Sequence, residues 1–193
     1  MTIKKNSSYV PINSVHHVAY RCRDAEQTRW FYEDILGLKL AAAMAFDHLS
    51  GTSKKLEYMH IFFEMKDGNY IAFFDDPHNA PPDFFKDMNG FDSHVAVQVE
   101  NLDDLKKIKK NLDNIGWSSF EIDHDFVRSL YIFDPNGIQL EFTCRAIDHD
   151  EIMQEDANKA HKELEKWTSR TRDLKIKSFG EEALNLRSKN TIK

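Results

Sequence analysis

The sequence predicts an α+β fold built from two βαβββ copies and a helical extension. Three observations predict it: two segments that open alike, an amphipathic helical stripe closing on glycine after each, and three short strand-like runs after each helix. "HVAYRCRDAEQ" begins at His17 and "HVAVQVENLDD" at His94, and both read as opening strands.

In the first copy Asp24 can cap a helix with Gln27 at the third position, Phe31, Tyr32, Ile35 and Leu36 form its apolar stripe, and Gly37 stops it. Strands are expected at Lys39–His48, Glu57–Met65 and Tyr70–Asp75, the last two joined by the turn "KDGN". The proline-bearing "DDPHNAPPD" links the copies. In the second copy Asn101 or Asp103 caps a helix whose stripe is Leu105, Ile108, Leu112 and Ile115, ended by Gly116. Strands follow at Ser118–His124, Ser129–Asp134 and Gln139–Arg145, with "DPNG" as the final turn. The modules therefore run over 14–76 and 90–146. From 150 to 176 the chain turns rich in Ala, Glu and Lys, with Ile152, Ala157, His161, Leu164 and Trp167 spaced for one helix face. That face is expected to pack against the two-copy body or a second subunit, or to close over a cavity. Residues 1–12 and 180–193 read as flexible tails.

Composition narrows the function. A formal charge of -6 with lysines scattered among acids offers no electrostatic footprint for nucleic acid or an anionic membrane. No apolar run is long enough to span a bilayer and no secretory signal opens the chain, so a cytoplasmic protein is expected. Cys22 and Cys144 are too few for a disulfide framework and read as reduced, buried thiols. A small molecule remains as the partner, with a second copy in a homodimer.

Side chains alternate along a strand, so parity sorts each strand into two faces. Val18, Tyr20 and Cys22 fall together, as do Val95, Val97 and Val99, and these oily sets should meet the helices. His17 and His94 then stand on the opposite, polar faces at equivalent positions. In "QLEFTC" the same sorting separates Leu140, Phe142 and Cys144 from Gln139, Glu141 and Thr143. A carboxylate between apolar neighbours costs several kcal/mol unless it is paired or neutralised, to an order of magnitude. Two histidines and one carboxylate from three strands form a facial set that leaves coordination positions open, typical of non-haem Fe(II) oxygenases and usable by Mn(II) or Zn(II). His17, His94 and Glu141 are therefore the candidate metal ligands. A plain pairing of Glu141 with Arg145 or Arg21 is the structural alternative.

The segments "HHVAYRCRDAEQTRWFYEDILGL", "SHVAVQVENLDDL" and "YIFDPNGIQLEF" resemble the vicinal oxygen chelate superfamily over about Ser14 to Arg145. The resemblance implies paired modules in an open, cup-shaped mixed β-sheet. It also implies a divalent metal in the cup, held by His17, His94 and Glu141 and chelated by two neighbouring oxygens of the substrate. Glyoxalase I members take a further acid where this chain has Ala72. Extradiol dioxygenases carry a signature that Ile122, His124, Leu130, Tyr131, Asp134, Pro135, Gly137 and Glu141 follow. On that likeness the chain resembles an Fe(II) extradiol ring-cleavage dioxygenase acting on a catechol-like or other vicinal-oxygen compound. His124 and Tyr131 would hydrogen-bond the bound diol, and His78 is a further candidate from the linker. The same ligand set also serves non-redox lyases and fosfomycin-type thiol transferases, some of which share their sites between two chains. A binding protein without metal is the third reading. His16, on the helix side by parity, reads as structural, and His60 as a residue that could line the cup.

Overall fold

A computed structural model describes residues 10–86 and 88–185; of the expected tails at 1–12 and 180–193, the parts 1–9 and 186–193 lie outside the described residues. Two four-stranded sheets are built in the same order, β1-β4-β3-β2 and β5-β8-β7-β6. The strands are β1 His17–Cys22, β2 Lys39–His48, β3 Lys55–Glu64 and β4 Tyr70–Asp75, then β5 His94–Gln98, β6 Phe120–Asp123, β7 Val127–Phe133 and β8 Gln139–Arg145. In each copy the opening strand runs parallel to the last, while β2–β3, β3–β4 and β6–β7 pair antiparallel. Both sheets are therefore mixed and open, the α+β architecture expected from the sequence.

The duplication extends to register. His17 pairs with Tyr70 and Ala19 with Ala72, while His94 pairs with Gln139 and Ala96 with Glu141. Ala72 thus holds in the first copy the place that Glu141 holds in the second. Strands β2, β4 and β8 have the expected bounds; β3 starts two residues early, because β2 stays paired with it through two irregularities down to His48 and Lys55. β6 is shorter than expected, and just beyond it Asp125 takes a left-handed φ of 65°.

Helix α1, Ala25–Arg29, is capped as predicted, with the Gln27 amide donating to Asp24 Oδ2 at 2.6 Å. It then widens into a π-helical turn, Trp30–Ile35, which the apolar spacing does not announce. Arg29 is forked between Glu33 and Asp34 there. Helix α2, Leu102–Asn114, is capped by Asn101.

A single apolar core takes the helix side of both sheets: Phe31, Tyr32, Phe63, Ile71 and Phe73 from the first copy and Leu112, Leu130, Ile132, Leu140 and Phe142 from the second. Cys22 and Cys144 are buried in it as thiols. The copies are also joined by a buried polar knot. Asp134, 4% exposed, accepts from the amides of Asn136 and Ile138 on one oxygen and from the Tyr32 hydroxyl and Asn136 Nδ2 on the other. Asn136 Oδ1 in turn accepts from the Arg23 amide. Gly137 lets this turn close, at φ 85° where a side chain would be strained.

Removing that carboxylate with Asp134→Ala strands its donors in the core. Urea denaturation is expected to show a loss of about 3–5 kcal/mol. Burial holds the Asp134 carboxyl above its ordinary range, with the donors pulling the other way. The folded chain therefore keeps this proton to higher pH than the unfolded chain does. This contribution is greatest below about pH 3.9, the usual carboxyl value, and declines as pH rises through the folded value. Asp134→Asn removes the decline, read as a flatter stability profile at acid pH.

Past the body lie α3, His149–Phe179, longer than the expected 150–176, and the short α4, Glu181–Leu184. No residue of α3 is buried.

Candidate functional site

Polar-face parity brings Glu141 and His94 together. Their parallel strands stand side by side, and His94 Nε2 lies 2.8 Å from Glu141 Oε2. The Ser129 hydroxyl, on β7, donates to Glu141 Oε1 at 2.5 Å. Glu141 is 7% exposed and Ser129 2%, so the carboxylate sits in a poorly hydrated place, with Ser129 at one oxygen and His94 at the other. The structural alternatives, Arg145 and Arg21, go elsewhere: Arg145 to Asp150 and Arg21 to Asp76.

Two further predicted residues join this face. Tyr131, next to Ser129 on the same face of β7, is 6% exposed, and its hydroxyl lies 2.8 Å from His124 Nε2. Burial, with the Glu141 carboxylate close by, pushes the Tyr131 phenol up to about 12, so it stays protonated at neutral pH and can donate. Phe120 stacks on Tyr131, and Phe120, Ile122 and Phe133 leave apolar surface exposed around the set.

His17 stands elsewhere, on the polar face of the first sheet. Its Nδ1 lies 2.9 Å from His16 Nδ1, and its ring meets Phe62 and His60 edge-on. His16 is exposed rather than packed beneath the sheet, because β1 begins only after it. His60 stacks on Phe74, and its Nε2 is buried with no hydrogen-bond partner. Burial and His17 hold the His60 imidazole below its usual pKa, hence neutral. Beside it opens a pocket of about 510 Å³ walled by Phe46, Tyr58, His60 and Phe74, with Arg21 and Asp76 at its polar end. His78 is exposed beyond this, 3.4 Å from Glu57, away from the Glu141 set.

Among the described residues no group of three or more His, Cys, Asp or Glu side chains is close enough to hold one metal ion. One chain thus presents two of the three expected donors, His94 and Glu141, as a pair and the third, His17, on its other sheet. The spacing of that pair suits neighbouring ligands of one ion, since each would lie about 2.0–2.2 Å from it. Ser129 is the residue that sequence reasoning passed over. The signal was there: it shares the parity of Tyr131 and of the polar side of β7.

The profile of the Glyoxalase/Bleomycin resistance protein/Dioxygenase superfamily matches residues 14–142. The chain belongs to this superfamily. Its name spans enzymes and binding proteins alike. Among solved structures, a glyoxylase/bleomycin resistance protein/dioxygenase domain from Frankia sp. EAN1pec is 21% identical, with a TM-score of 0.57 over 70% of this chain and 100% of that one. A glyoxalase/dioxygenase from Nostoc punctiforme is 24% identical, with a TM-score of 0.53 over 73% and 98%. A putative dioxygenase from Bacillus subtilis is 19% identical with a TM-score of 0.54, and this chain covers 40% of it. At these identities the likeness is one of fold. No curated protein matches. No helix among the described residues is long and apolar enough to cross a membrane.

Proposed function

We propose that the chain is a metal-dependent enzyme of the extradiol dioxygenase type, active as a homodimer on a catechol-like small molecule. The divalent ion, Fe(II) in preference to Mn(II) or Zn(II), is held by His94 and Glu141 of one copy and His17 of the other. The observation that carries this reading is the buried Glu141 carboxylate with His94 Nε2 2.8 Å away, on a face turned from the core. Each sheet spends its oily side on the shared core, so the polar faces with His17, Ala19, His94 and Ala96 remain exposed. A second copy laid polar face to polar face supplies the missing imidazole.

The ion would draw the two neighbouring oxygens of a diol and make them more acidic. This chain's residues do the rest. Ser129 keeps Glu141 aimed at the open face by donating to its inner oxygen. Tyr131 offers its hydroxyl proton to substrate oxygen, and His124, bonded to that hydroxyl, restores or removes the proton at Nε2. Phe120, Ile122 and Phe133 give a ring an apolar bed that excludes water.

The test is anaerobic reconstitution with Fe(II), followed by oxygen uptake over a panel of catechols. Uptake matched to loss of the diol, and absent with Mn(II) or Zn(II), is expected. Tight metal binding with no uptake for any diol would move the chain to the non-redox lyase or thiol transferase reading.

A further inference from the structure

Helix α3 is 31 residues long, about 46 Å, and buries none of them. Its apolar face is not the broad stripe of a helix packed on a domain. Met153, Ala157, Ala160, Leu164, Trp167, Thr171, Leu174 and Ser178 follow one another at alternating steps of four and three, a two-stranded seam with period 3.5. Leu164, Trp167 and Leu174 on this seam are 61%, 49% and 68% exposed. Helix α4 lies to one side of it, where Arg172 bonds Asn185; Arg172 and Ile176 are part-covered there, and on the seam itself Thr171 is part-covered while Leu164, Trp167 and Leu174 stay exposed.

We propose that this seam pairs with α3 of a second copy, antiparallel. Laying the helix against its own reverse with Leu164 facing Trp167 sets Ala160 against Thr171, Ala157 against Leu174 and Met153 against Ser178, so that each large side chain meets a smaller one. Charge selects this direction. On one flank Asp156 falls beside Lys177 of the second copy and Glu163 beside Arg170, each pair made twice by symmetry. The other flank pairs Gln154 with Lys175 and His161 with Thr168. In a parallel pair Arg170 would instead face Lys175, and neither acid would meet a Lys or Arg. Arg170 already lies flat over Trp167, 4.7 Å from the ring centroid, at the edge of the seam where Glu163 of the second copy arrives. The pairing rests on the helix alone and stands apart from the metal reading.

Disulfide trapping in the full chain tests it, the native cysteines being buried. The variant Ala160→Cys/Thr171→Cys is expected to oxidise readily to a reducible dimer on a denaturing gel. Ala160→Cys alone should stay a single chain, because its two copies would lie about 16 Å apart along an antiparallel pair. Adding Glu163→Arg to the double-cysteine variant should slow trapping several-fold, and adding Arg170→Glu to that should restore it, with helical circular dichroism unchanged throughout. Trapping of Ala160→Cys alone would overturn the antiparallel direction. Absence of trapping in the double variant, or no rescue by the charge exchange, would overturn the pairing.

Discussion

Replacing Glu141 by alanine is expected to leave the folded protein without stoichiometric metal. The carboxylate is the only charged donor in the proposed set, and it brings to the ion the attraction that two neutral imidazoles cannot. Its loss should weaken metal binding by more than the roughly 100-fold that removal of an outer partner costs. Ser129→Ala is the matching comparison: it leaves the carboxylate in place and untethers one oxygen, and should weaken binding by about 10–100-fold. Both are read by elemental analysis of dialysed protein and by competition with a chelator. The fold should survive, since Glu141 lies on the polar face and outside the shared apolar core. Equal metal content in wild type and Glu141→Ala would remove Glu141 from the set.

His124→Gln is expected to lower turnover of the reactive diol by about 100- to 10,000-fold, the usual range for a positioned proton-transfer group. His124 bonds the Tyr131 hydroxyl and lies outside the proposed ligand set, so metal content should be unchanged. Tyr131→Phe should follow it, since the two form one hydrogen-bonded pair and the phenol is the member nearer Glu141. Their double variant should fall little further than either alone, because each acts through the other. A His124→Gln enzyme with full turnover would leave the pair as a packing contact in the wall of the site.

The architecture was legible because a duplicated chain states its elements twice. His17 and His94 open equivalent strands, Asp24 and Asn101 cap equivalent helices, and β2, β4 and β8 fall at the expected bounds. Parity also placed Glu141 and His94 on one face, where the structure sets them 2.8 Å apart. It could not bring His17 to them. Parity tells which side of its own sheet a residue takes, whereas the meeting of two sheets depends on which faces the shared core consumes. Here the core consumes both helix sides, a fact carried by contacts between copies such as Tyr32 with Asp134 and Phe31 with Trp117. The π-helical turn at Trp30–Ile35 was illegible for a different reason, since one residue added to a short helix barely alters its apolar spacing. In α3 the expected face shares Ala157, Leu164 and Trp167 with the 3.5-residue seam, while Ile152 and His161 fall beside it.

The measurement that reaches the central claim most directly is the metal content of a mixed dimer. His17→Ala and Glu141→Ala chains, carrying different tags, are co-expressed and the hybrid is isolated through both. If His17 of one copy completes the site of the other, each parent binds no metal, while the hybrid keeps one intact site and binds one ion per dimer. A hybrid as empty as its parents would contradict the shared site.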